Sequence, residues 1–123
     1  MATVTERKAK SRARRKKHIR KIVHGTPERP RLVVYRSIGQ IYAQLVDDVS
    51  GRTLTAVSSL SPDVRDVVAK LKPIDTGKAV GEACARKAQA LNITRVVFDR
   101  NGFPYHGRVK AVAEGARKGG LEF

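Results

Sequence analysis

Arginine and flat, polar-tipped side chains fall together at three places in this chain, and what they can do jointly is grip phosphate and stack on rings. Arg29-Pro-Arg31 runs into Tyr35-Arg36-Ser37, and Tyr42 with Gln44 follows in the next segment. Arg100, Tyr105, His106, Arg108 and Lys110 crowd a single stretch near the C-terminus. A guanidinium holds a phosphate through two parallel hydrogen bonds, whereas an ammonium supplies point charge. Tyrosine and histidine stack on unpaired bases or reach a 2′-hydroxyl, which duplex DNA lacks. Glycines among them let one backbone approach another closely.

The charge distribution points the same way. Ten of the first 24 residues are Lys or Arg, Arg12, Arg14, Arg15, Lys16, Lys17, Arg20 and Lys21 among them, against the single acid Glu6. That stretch therefore holds nine of the net fifteen positive charges. It repels itself and has little apolar surface to bury, so a dense polyanion is its natural partner. Binding of this kind is strong and salt-sensitive. The run has no facing stripe of Leu, Phe or Trp, which disfavours an amphipathic membrane helix. No apolar run approaches the roughly 20 residues of a membrane span, and no signal-peptide core is present.

Catalytic readings are weaker. Asp47, Asp48 and Asp99 sit at strand ends, where a nuclease could gather carboxylates around magnesium. Yet Asp47-Asp48 before Ser50-Gly51 is ordinary turn chemistry, and Asp99 stands beside Arg100. Thr76-Gly77-Lys78 lacks the second glycine of a phosphate loop, since position 72 is Lys. Three histidines and one cysteine make no zinc spacing, and the lone Cys84 reads as a core residue. No metal, cofactor or small-molecule substrate is expected. A reducing, cytoplasmic setting fits the single cysteine.

The elements that must position these groups follow from periodicity. Residues 1–24 form a basic extension, with its last turns (about 17–23) helical and its start ordering only on a partner. Residues 25–123 form one globular domain. Arg31–Ser37, Ile41–Asp47 and Thr53–Ser58 read as an antiparallel meander. Leu32, Val34, Ile41, Ala43, Leu45, Leu54 and Ala56 should face helices, with Tyr35, Tyr42, Gln44, Thr53 and Thr55 opposite. Ser61-Pro62-Asp63 starts a short helix with a capping hydroxyl, its inner side Val64, Val67, Val68 and Leu71. Asp75 or Thr76 caps a longer one to about Leu91, with Val80, Ala83, Cys84, Ala88 and Leu91 inward. Arg95–Asp99 reads as an inner strand, and Val109, Val112, Ala113 and Ala116 mark a final helix stopped by Gly119-Gly120. The predicted class is α/β, a four-stranded mixed sheet packed by helices. If the fourth strand pairs beside the first, the strand order is 3-2-1-4.

Arg29-Pro-Arg-Leu-Val-Val-Tyr-Arg-Ser37, Ile41-Tyr-Ala-Gln44, Val96-Val-Phe-Asp-Arg100, Tyr105-His-Gly-Arg-Val-Lys110 and Gly120-Leu-Glu-Phe123 together resemble the eighteenth large-subunit ribosomal protein of bacteria. The likeness runs from about residue 11 to the end. It implies a ribonuclease-H-like translational-protein fold without nuclease activity. It also implies binding to 5S rRNA, attachment of that RNA to 23S rRNA in the central protuberance, and neighbouring 5S-binding ribosomal proteins as partners. Carried onto this chain, the implied 5S contacts are Arg31, Tyr35, Arg36, Ser37, Tyr42, Gln44, Arg100, Tyr105, His106 and Arg108. The extension from Arg12 to Lys21 would run along rRNA. The rivals are a DNA-architectural protein and a magnesium-dependent nuclease.

Overall fold

Alternating apolar residues in three short segments place a sheet at the centre of the molecule. The structure, a computed structural model, describes residues 3–123, so the first two residues of the expected extension lie outside the described residues. The elements are α1 (Val4–Arg20), β1 (Arg31–Arg36), β2 (Ile41–Asp47), β3 (Arg52–Ser58), α2 (Pro62–Val68), α3 (Pro73–Ala90), β4 (Val97–Asp99) and α4 (Arg108–Lys118). The strands lie in the order β3-β2-β1-β4. β1 pairs antiparallel with β2, setting Val34 opposite Ala43 and Tyr35 opposite Tyr42, and pairs parallel with β4.

One face of the sheet carries the core. Leu32, Val34, Ile41, Ala43, Leu45 and Val57 are buried against Val80, Ala83, Cys84 and Ala88 of α3 and Val109 and Val112 of α4. The two helices touch through their backbones. A Cβ on Gly81 would stand 2.2 Å from the Val112 carbonyl oxygen, and one on Gly115 only 2.1 Å from that of Lys78. Helices this close need glycine at the crossing and small residues beside it, which explains the Ala-rich inner faces.

Several expectations need correction. The extension is helical from Val4, not only over its last turns, and ends at Arg20. Thr3 and Glu6 form a reciprocal capping box: the Glu6 N–H donates to Thr3 Oγ1 and the Thr3 N–H to Glu6 Oε2. Lysine, arginine and alanine then continue a helix easily without any apolar stripe to announce it. β3 changes face part-way along. Leu45 opposes Thr55 but Val46 opposes Thr53, so Leu54 is an extra residue in a bulge. Val57 is therefore the buried residue and Ala56 is exposed, while Leu54 still packs against the core.

β4 is an edge strand of three residues, not an inner one, because it ends the sheet and pairs with β1 alone. α3 starts at Pro73 with Lys72 as its cap, so Thr76-Gly77-Lys78 lies inside the helix. That helix stops at Ala90, which leaves Leu91 exposed. Ser61 precedes α2 but its hydroxyl makes no cap bond; it accepts from the Ser58 N–H instead. Of the expected α2 face Val64 is buried and Val68 partly so, whereas Val67 and Leu71 are exposed.

Candidate nucleic-acid interface

The strand residues that alternate with the core point away from α3 and α4, and no helix of the α3–α4 layer covers them. Val33, Tyr35, Tyr42 and Gln44, with Asn101 at the edge, line a shallow depression of about 360 Å³. Direct pairing of Tyr35 with Tyr42 brings their rings to 6.0 Å. Gln44 is exposed two residues along β2. The arrangement offers ring faces and an amide over one open surface, which suits unpaired bases.

The loop after β4 closes one end of this surface. Asp99 accepts from the Asn101 N–H at 2.7 Å, and Asn101 and Gly102 both adopt left-handed backbone, with φ of 56° and 78°. The turn throws Phe103 edge-on against Tyr35 at 5.7 Å. Two guanidinium groups lie over the Phe103 ring, Arg12 of α1 at 4.0 Å and Arg36 of β1 at 5.1 Å. Arg100 donates to the Phe103 carbonyl, and Arg108 donates to the Ser37 carbonyl at 2.9 Å, tying the start of α4 to the end of β1. Tyr105 and His106 are exposed farther along, Tyr105 edge-on to Phe98 at 5.7 Å.

Arg31 differs from the other arginines. It shares the open face but is buried, donating through Nε and Nη2 to Asp48 at 2.9 and 3.1 Å and through Nη1 to Asp99 at 2.8 Å. Its own burial would lower its pKa, but the hydrogen bonds and charges of the two acids outweigh that and raise it. The bond from Arg31 draws the Asp48 carboxyl down to about 2 against the opposing effect of burial, helped by the Gly25 N–H and the charge of Arg20. Arg20 itself stands 3.3 Å from Asp48. The guanidinium of Arg31 thus joins β1, the β2 end and β4; it is a frame for the surface rather than an outward hand. Asp47 turns to Ser50 and the Val49 N–H instead. Among the described residues no group of three or more His, Cys, Asp or Glu is placed to hold a metal ion.

The remaining sequence-predicted residues spread outward from this centre. Arg12 is half-buried against Phe103 and Arg15 donates to the Gly102 carbonyl at 2.8 Å, while Arg14, Lys16, Lys17 and Lys21 are exposed. Arg29 donates to the Val96 carbonyl, and Lys110 lies on the exposed side of α4 near Glu114. Phe103 stands outside the set of sequence-predicted site residues, although it lies within the cluster from Arg100 to Lys110. The visible signal of this loop is an Asn-Gly pair followed by an aromatic between clustered arginines.

The profile described as "Ribosomal L18 of archaea, bacteria, mitoch. and chloroplast" matches residues 6–123. The chain belongs to the ribosomal L18 family. The "Large ribosomal subunit protein uL18" of Chloroherpeton thalassium is 56% identical over 112 residues, covering 91% of this chain and 92% of that protein. Those of Herpetosiphon aurantiacus and Thermotoga petrophila are 53% and 50% identical over 112 and 118 residues, covering 91% and 96% of this chain and 93% and 97% of theirs. As a member of this family the protein is a structural constituent of the large ribosomal subunit rather than an enzyme. Asp48 and Asp99 have architectural roles, both bonded to Arg31.

Proposed function

We propose that the open sheet face binds 5S rRNA and that α1 helps attach that RNA to 23S rRNA in the central protuberance, beside neighbouring 5S-binding proteins. The observation that carries this reading is the Tyr35–Tyr42 depression with Arg36, Arg12 and Arg100 around it. In this reading Tyr35 and Tyr42 stack on unpaired bases, and Gln44 and Ser37 hydrogen-bond to base edges or sugars. Arg36, Arg100 and Arg108 hold phosphates; Tyr105 and His106 extend the contact, and Arg29 and Lys110 add charge at its margins. Arg31 contributes by keeping β1, β2 and β4 in place.

α1 has a second side. Arg7, Lys10, Arg14 and Lys17 are exposed and fall at i, i+3, i+7 and i+10, one face of the helix about 15 Å long. Lys10, Arg14 and Lys17 face away from Arg12, Arg15 and Ile19, with Arg7 at the margin between the two sides, so the helix can meet a second RNA segment with one side while the other lies against the domain. Replacing these four residues by Gln should weaken 23S binding more than 5S binding in parallel titrations. Equal losses for the two RNAs would reject this division of labour. If roughly 6–10 phosphates are engaged in all, affinity should drop by about three to five decades between about 50 and 200 mM salt, on the duplex-DNA scale.

A further inference from the structure

α1 has no buried residue, and like charges crowded along a lone helix destabilise it in water. An apolar seam is not what holds it to the domain. At its C-terminal end Arg20 reaches Asp48 at 3.3 Å; the contacts made by the middle of the helix converge on one turn. Arg12 stacks on Phe103 and reaches Tyr35, its guanidinium 4.0 and 5.4 Å from the two ring centres, and its Nε donates to the Asn101 carbonyl at 3.2 Å. One helical turn on, Arg15 donates to the Gly102 carbonyl at 2.8 Å.

Gly102 itself lies against the helix: a Cβ there would stand 2.7 Å from the Arg12 carbonyl oxygen and 2.9 Å from the Cγ atoms of Arg12 and Lys16. Its φ of +78° excludes a side chain for a second reason. From the sheet side Arg36 lies 5.1 Å over the same Phe103 ring. Among the described residues neither Arg12 nor Arg36 has a carboxylate within 4.0 Å. The ring, not an acid, steadies two like charges, and a ring leaves guanidinium N–H groups free for phosphate where a carboxylate would occupy them.

We propose that Asn101-Gly102-Phe103 is a latch that holds the cationic helix against the open sheet face, so that arm and sheet meet RNA as one preorganised surface. Phe103 is its positioning residue, acting through Arg12 and Arg36, and Gly102 is the seat on which α1 rests. The latch fixes the direction in which Arg7, Lys10, Arg14 and Lys17 point. Its effect on affinity rests on the RNA-binding reading above; its effect on the arm does not.

The test uses the full chain with Phe103→Leu and Gly102→Val, and Phe103→Tyr as the conservative control. In the free protein, trypsin cleavage within residues 7–21 should quicken about tenfold in the first two variants and stay at the parent rate in the third. Thermal melting of the domain reports whether the fold survives, and Gly102→Val, which alters no core side chain, keeps the test open if Phe103→Leu destabilises it. In titrations with 5S rRNA the two latch variants should lose about tenfold in affinity while the slope against log salt stays within about one unit of the parent, because a loosened arm still reaches the same phosphates at an ordering cost. Arms cleaved at the parent rate, or arms set free with 5S affinity unchanged, would overturn the latch. A slope reduced as far as by neutralising the four outward cations would overturn it too, since the turn would then be supplying contacts. A parent protein that ignores 5S rRNA would count against the RNA reading, and proteolysis would still decide the latch.

Discussion

Leu32, Val34, Ala43 and Leu45 point to one side of the sheet, and Tyr35, Tyr42 and Gln44 of the same two strands point to the other. The first side is closed by α3 and α4, whose backbones touch at Gly81 and Gly115, where a Cβ would not fit. The second is held together by rings against rings and guanidinium groups against rings, contacts that leave Tyr35 47% exposed. Stability is concentrated where volume is fixed, and the proposed recognition falls where polar edges and ring faces remain available. Arg31 is the joint between them, a charge on the open side used as an interior strut.

That contrast can be broken most directly at the helix crossing. Gly81→Leu should cost about 4 kcal/mol or more, enough to abolish the cooperative thermal transition, because its Cβ would collide with a backbone oxygen that cannot move aside. A variant that melts like the parent would show the covered face to be looser than its geometry states. Arg31→Met should cost about 3 kcal/mol in denaturant titrations by leaving two largely buried carboxylates without their cation. Were its stability unchanged and its RNA affinity lost, Arg31 would belong with the contact residues after all.

On the open face the balance should invert. Tyr35→Ala with Tyr42→Ala should weaken 5S binding about thirtyfold while changing unfolding free energy by less than about 1 kcal/mol, since stacking and not core packing is removed. An unfolded circular-dichroism spectrum for the pair would place both rings in the core instead. The smallest effect is a pH dependence. Asp48 titrates near 2 in the folded protein against an ordinary 3.8, so its contribution is fully present above the ordinary value and drains away as pH falls toward about 2. Acid titrations of the parent and of Asp48→Asn should diverge in that window, the parent losing stability more steeply; parallel curves would remove Asp48 from the frame.

Much of this division can be read from residue order. Strict alternation from Leu32 to Leu45 separates the two faces, and the 3-2-1-4 order follows once β4 is placed beside β1. The departures have local causes. The bulge at Leu54 shifts Ala56 to the open side, and nothing in Thr53-Leu-Thr-Ala-Val announces an extra residue. The capping box of Thr3 and Glu6 was visible in spacing, but a helix without an apolar stripe gives periodicity nothing to detect. Arg31 reads as an outward cation because its partners, Asp48 and Asp99, lie 17 and 68 residues away and only the sheet brings them together. Phe103 carries no sequence signal of its role for the same reason, its neighbours Arg12 and Arg36 being distant in sequence.

In the proposed function the open face and its cationic helix recognise folded ribosomal RNA rather than polyanions at large. Titrating the full chain with 5S rRNA and with duplex DNA of equal length, over a series of salt concentrations, tests it most directly. Binding to the RNA should be tighter at every salt concentration, with affinity for both falling steeply as salt rises. Equal affinity for the two, or binding to 5S rRNA indifferent to ionic strength, would contradict it.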